Sequence, residues 1–118
     1  MIRNFKTLSI WSRSRELVKT IYSVSNKFPK EEKFGLVSQL NRAAVSIPSN
    51  IAEGCGRGSE RDLNRFLNFA VGSSCEAETQ LYLAFDLDFV DFQTVELVIL
   101  EVEQIRKMII GFQKTLKK

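Results

Sequence analysis

Residues 95–116 read VELVILEVEQIRKMIIGFQKTL, and within them Val95, Val98, Val102, Ile105, Ile109, Phe112 and Leu116 are spaced 3, 4, 3, 4, 3 and 4 apart. That is the heptad rhythm of a helix laying one apolar seam against other helices. Glu96, Glu101 and Glu103 interrupt the apolar run, so it reads as a core-facing helix rather than a membrane span.

The same rhythm recurs upstream. Ile10, Ser14, Leu17, Ile21, Val24 and Phe28 define a first helix, with Ser9 placed to cap it and Phe28-Pro29 to end it. Pro29 can open a second helix, with Glu31 and Glu32 in a first turn where the helix dipole favours acids. Its apolar side runs through Leu36, Leu40, Ala43, Ile47 and Ile51 to the glycines Gly54, Gly56 and Gly58, and Pro48 predicts a kink or a short break. A third helix opens at Ser59, capped with Asp62 in the box position, and passes through Leu63, Phe66, Ala70, Ser73, Ala77, Gln80 and Ala84. Ala70, Gly72, Ser73, Ser74 and Ala77 make its middle small enough for close approach by a neighbour. The expected helices are thus about 10–27, 30–54, 60–87 and 92–116. Short connections make successive helices antiparallel, so the fold class is all-α: a single-domain, up-down-up-down four-helix bundle.

Composition narrows the chemistry. With 118 residues, 44% hydrophobic and 26% charged, the chain suits one domain with a real core. It contains no histidine, which removes Ser-His-Asp and Cys-His nucleophiles, Glu-x-x-His di-iron sites and any ribonuclease mechanism built on a histidine. Neither a signal-peptide core nor a membrane span is evident, so a cytoplasmic location with no membrane association is expected. Cys55 and Cys75 read as free thiols, because antiparallel packing of helices 2 and 3 separates them by roughly 24 Å at 1.5 Å per residue. No catalytic, metal or cofactor site emerges. Glu53, Glu76 and Glu78 match no metal-binding spacing, and Gly54 to Ser59 lacks both the preceding strand and the Gly-Lys-Ser/Thr ending of a phosphate loop.

Charge is unevenly spread around a net of +3. Residues 1–30 hold seven Lys/Arg against Glu16, whereas residues 59–88 hold Arg61 and Arg65 against six acids. Such a split suits either a nucleic-acid footprint or complementary surfaces that meet within or between subunits. Arg13, Arg15 and Lys19 on helix 1, with Lys114, Lys117 and Lys118 at the C-terminus, are the candidate contacts to RNA or DNA. A polar stripe on helix 2, Gln39, Arg42, Ser46, Asn50, Glu53 and Arg57, faces Ser73, Glu76 and Gln80 on helix 3. It reads as a structural hydrogen-bond and ion-pair network, with Arg42 and Glu76 near one another.

The run Phe28-Pro29, Glu32, Gly35-Leu36, Gln39, Arg42-Ala43-Ala44, Ser46-Ile47-Pro48-Ser49-Asn50-Ile51-Ala52-Glu53-Gly54, Gly56-Arg57, Phe66-Leu67, Ala70, Gly72-Ser73, Glu76 and Gln80 resembles the 23S rRNA intervening-sequence four-helix-bundle proteins. The resemblance spans roughly Trp11 to Phe112. It departs at Ala77, where a larger aliphatic is usual, and at Asp88, where the turn often has glycine. The resemblance implies a ring-shaped homopentamer without established catalytic activity. It also extends to the accessory variability determinant proteins of diversity-generating retroelements, which are similar in fold, bind nucleic acid and contact a reverse transcriptase.

Two functions are therefore expected for a non-enzymatic homo-oligomer: a scaffold associated with RNA or DNA, or an adaptor for a partner protein with no nucleic-acid binding. Self-association also follows from the residues. Phe69, Val71, Tyr82, Leu83 and Phe85 on helix 3, and Leu97, Leu100 and Ile110 on helix 4, exceed what one four-helix core can absorb. Their placement on different helices favours a head-to-tail ring.

Overall fold

The computed structural model describes residues Arg3–Lys117, which form four α-helices: α1 (Ser9–Ser25), α2 (Leu36–Cys55), α3 (Glu60–Asp86) and α4 (Phe92–Gln113). Single 3₁₀ turns at Phe5–Thr7 and Lys30–Glu32 precede α1 and α2. At about 1.5 Å per residue, the 27 residues of α3 span about 40 Å, close to the 45 Å long axis of the molecule. The apolar stripes of all four helices meet in one core. Leu17, Ile21, Leu40, Ile47, Ile51, Leu67, Leu81, Val95, Val102, Ile105 and Ile109 are its largest wholly enclosed aliphatic side chains. Successive helices pack antiparallel, and α2 lies most closely on α3 because their facing residues are small.

The termini of the helices differ from the sequence reading in ways that local chemistry explains. Ser9 sits inside the first turn of α1, and the preceding Leu8 makes no side-chain cap. Pro29 opens only the 3₁₀ turn. Gly35, at φ −107° and ψ −114°, breaks the path before α2 starts at Leu36, whose amide donates to Glu32 Oε1 at 3.2 Å. The break suggested by Pro48 does not occur; α2 runs through it, with Ile47 and Ile51 fully buried on either side. Ser59 caps α3 by accepting from the Asp62 amide at 3.1 Å, and Asp91 caps α4 through Thr94 at 2.8 Å. The Thr94 side chain first, and then its backbone amide, hold the Asp91 carboxyl below its usual range.

Between α3 and α4, Asp88 takes the left-handed position at φ 64°. The Phe89 amide donates to Ala84 O at 2.9 Å and the Asp88 amide to Phe85 O at 3.0 Å, the paired bonds of a Schellman ending. Phe89 then packs on Phe28 at the foot of α1, with ring centroids 5.8 Å apart. α4 ends at Gln113, three residues short of the seam's last member, yet Leu116 still folds back to 7% exposure. Both cysteines are free, Cys55 buried and Cys75 exposed, and burial pushes the Cys55 thiol above its usual pKa.

Ion pairs join helices that the apolar seams leave free to slide. Arg106 on α4 pairs with Glu78 on α3 and donates to Cys75 Sγ at 3.2 Å, while Arg13 on α1 grips Glu101 on α4 with Nη2 at 2.6 Å and Nε at 3.2 Å. The tightest packing is at Gly54. A Cβ there would stand 2.9 Å from Phe66 Cβ and 3.2 Å from Leu63 O. Gly54→Ala should therefore destabilise the bundle by about 1–3 kcal/mol despite alanine's better helix propensity. Urea unfolding followed by circular dichroism measures it, and a neutral or stabilising result would contradict this packing.

Candidate functional site

The alternation of helix directions gathers the N-terminal segment, the α2–α3 turn and the C-terminal residues at one end of the bundle. Gly58, at φ +86°, makes the sharp turn between α2 and α3. Beside it, Glu60 fastens both ends of the chain. Its Oε2 accepts from Arg3 Nη2 at 2.5 Å and its Oε1 from the Lys117 amide at 2.7 Å, while the Arg3 amide donates to Cys55 O at 3.1 Å. The Lys117 amide first, and then the Arg3 guanidinium, hold the Glu60 carboxyl below its ordinary range.

Three further arginines crowd this end. The Arg57 and Arg65 guanidiniums lie over the Phe66 ring at 5.1 and 5.2 Å, and Arg65 also lies 5.9 Å from the Phe69 ring. Stacking of this kind holds a cation in place without neutralising it. Arg61 and Arg65 line a shallow hollow of about 600 Å³ with Ser59, Asp62, Asn64 and Asn68. Gln113 Nε2, bonded to Asn64 Oδ1 at 3.1 Å and Asn68 Oδ1 at 2.8 Å, forms a polar clamp behind it. Exposed Lys114 and Lys117 stand at the same end.

The cations expected from sequence divide between two places. Arg13 pairs with Glu101, with one guanidinium nitrogen also 3.3 Å from Met108 Sδ, so it takes part in the α1–α4 contact while staying partly exposed. Arg15 lies over the Trp11 ring at 4.8 Å, and Lys19 stays exposed with Glu16 at 3.9 Å; both line a small α1–α2 depression with Val45 and Pro48. Lys114 and Lys117 join the arginine-rich end, and Lys118 lies outside the described residues. The sequence places Arg57 in the structural polar stripe, and it hides Arg61 and Arg65 within a segment that is acidic on average. Their spacing of four residues was the available signal, since it sets them on one face at the start of a helix.

The polar stripe divides into three arrangements. Ser73 Oγ donates to Ser46 Oγ at 2.9 Å, and Asn50 Nδ2 donates to Ser46 O and Oγ, each at 2.8 Å, which makes a compact bridge between α2 and α3. Glu53 and Arg57 form an exposed pair at 3.9 Å. Gln39, Arg42, Glu76 and Gln80 instead line an open cleft of about 580 Å³ with Phe34, Ser38, Ala43 and Ser46. Arg42 and Glu76 thus share the cleft, but both are exposed and no ion pair joins them, unlike the paired network expected. Gln80 Oε1 is buried there without a donor. Among the described residues, no three His, Cys, Asp or Glu side chains cluster as metal ligands, and no helix is long and apolar enough to cross a membrane.

Comparison with known proteins gives the chain its relatives. The family profile of the 23S rRNA-intervening sequence protein matches residues 6–111. Among solved structures, a protein of unknown function from the S23 ribosomal protein family of Bacteroides thetaiotaomicron superposes with a TM-score of 0.83 at 26% identity, over 90% of this chain and 99% of that one. No curated protein matches.

Glu60 supplies a pH test of this end. A carboxyl whose pKa is lowered on folding contributes stability above its unfolded value, near 4.3, and loses that contribution as pH falls through the folded value. Glu60→Gln should therefore be less stable than the parent at pH 7, and the gap should close below about pH 4. Urea midpoints at a series of pH values measure it. A gap that persists unchanged into acid would show that the carboxylate is not what fastens the termini.

Proposed function

The chain belongs to the 23S rRNA-intervening sequence protein family, and on that premise we propose that it is a non-enzymatic, homo-oligomeric scaffold that holds RNA or DNA phosphate against its arginine-rich end. The observation carrying this reading is the convergence of Arg57, Arg61, Arg65, Lys114 and Lys117 from separate parts of the chain. Arg57 and Arg65 are held over aromatic rings, and Arg61, Arg65, Lys114 and Lys117 have no carboxylate within ion-pairing distance among the described residues. Guanidiniums presented in this way suit phosphate oxygens, because the fork is pre-organised and its charge is not spent internally. Arg15 and Lys19 would extend the track along the side of the bundle. The lack of histidine supports the non-enzymatic part.

Self-association is supported by apolar side chains left in the open. Phe34 is 88%, Leu97 69% and Leu100 56% exposed, large apolar side chains for which burial against another copy would be favourable. The resemblance of the sequence to ring-forming bundles makes a pentamer the reading for the count. Oligomerisation would also repeat the basic end around a ring, multiplying weak phosphate contacts by avidity.

A salt titration of binding to mixed-sequence single-stranded RNA and duplex DNA tests the nucleic-acid part. Affinity should fall linearly in log-log form as salt rises, and Arg61→Gln with Arg65→Gln should flatten the slope by roughly one to two. No binding at about 50 mM salt would contradict phosphate recognition. A partner-protein adaptor would then be the surviving role for the oligomer.

A further inference from the structure

Two exposed stripes on different helices are matched in composition and height. On α3 and its C-terminal cap, Phe69, Gly72, Glu76, Leu83 and Leu87 recur at 3, 4, 7 and 4; on α4, Leu97, Leu100, Gln104, Lys107 and Gly111 recur at 3, 4, 3 and 4. All ten residues are exposed, although this is the periodicity of a packing seam. Both glycines are helical, and a Cβ on either would meet no atom within 4 Å. Glycine is disfavoured in a helix relative to alanine, so neither has a reason within its own chain. Each leaves bare backbone where another helix could come close.

The register within the bundle fixes the heights. Arg106 reaches Glu78 and Cys75, and Gln113 reaches Asn64 and Asn68. To within about half a helical turn, Lys107 is then level with Glu76, Leu100 with Leu83, Gln104 between Glu76 and Gln80, and Gly111 between Phe69 and Gly72. A second copy related by rotation about an axis parallel to the bundle keeps all these heights.

We infer that the outward stripe of α4 in one copy seats on the outward stripe of α3 in the next, at the edge of the α2–α3 cleft. The neighbour's Lys107 pairs with Glu76, which has no ion-pair partner among the described residues, and the neighbour's Gln104 donates its amide to Gln80 Oε1, the buried acceptor that lacks a donor. Leu97 and Leu100 cover Leu83 and Leu87. The cleft is incomplete until that neighbour arrives. This inference rests on the homo-oligomer reading above and names its interface. The two stripes are different surfaces, on neither the same nor opposite sides of the bundle, so the contact is heterologous and can close into a ring.

Sedimentation velocity of the full chain at micromolar concentration is the test. Gly72→Leu and Gly111→Leu should leave helicity intact but reduce the assembled fraction at least tenfold. Glu76→Lys and Lys107→Glu should each weaken assembly, and the two combined should restore it. In a Cys75→Ser background, Leu83→Cys with Leu100→Cys should give a covalent ladder on oxidation, whereas Val45→Cys with Leu100→Cys should not. An assembled parent whose glycine variants assemble equally well, or whose cysteine pair yields no ladder, overturns this interface and leaves the oligomer standing. A monomeric parent defeats the oligomer reading itself, and this interface with it.

Discussion

At Gly54 the backbone of α2 lies so near α3 that one added methyl group would collide with Phe66 and the Leu63 carbonyl. Farther along the same contact, Ser46 and Ser73 touch through their hydroxyls, and Ala43, Ala70 and Ala77 are buried. The small side chains allow α2 and α3 to act as one rigid slab, against which α1 and α4 lay their larger aliphatic seams. Close packing has a second effect: with no bulk between the two helices, Arg42, Glu76 and Gln80 are left around an open cleft instead of meeting in a buried pair. The same pairing turns the chain sharply at Gly58 and so delivers Arg57, Arg61 and Arg65 to one end.

Charge in this molecule is sorted by use. Arg13, Arg106 and Arg3 each meet a carboxylate on another helix or segment and fix register or tie down an end. These are partly buried contacts in which a lost partner matters more than it would at an exposed pair such as Lys19 with Glu16. Arg65 meets aromatic rings instead, and Arg57 lies over Phe66 with only a long, exposed contact to Glu53, which orients both guanidiniums at the surface. The proposed phosphate-binding end and the structural ion pairs are therefore built from the same residue type, separated only by what each guanidinium faces.

Much of the fold was legible because it depends on periodicity. The α4 seam, the Ser59 cap and the glycine cluster after α2 each carry a local signal, and all belong to the observed bundle. The start of α2 was not legible, since Pro29 can open either an α-helix or a single 3₁₀ turn and the choice depended on the Gly35 conformation. Of the two outcomes open at Pro48, the break does not occur, because tertiary burial of its neighbours outweighs one lost hydrogen bond. Of the candidate contacts, Arg13 has a structural partner, Glu101, that is distant in sequence, and no one-dimensional pattern links them. The arginine-rich end was hidden for the complementary reason: its members come from different segments, and averaging charge along the chain cancels what folding brings together.

A four-helix bundle satisfies its own core with one stripe per helix, and here α3 and α4 each carry a second stripe facing outward, with Leu97 and Leu100 largely exposed. Other copies of the chain would cover those stripes in an assembled ring. Light scattering coupled to size exclusion at micromolar concentration measures it directly. The predicted mass is about five times the 13.5 kDa of one chain. A single species at 13.5 kDa would contradict it.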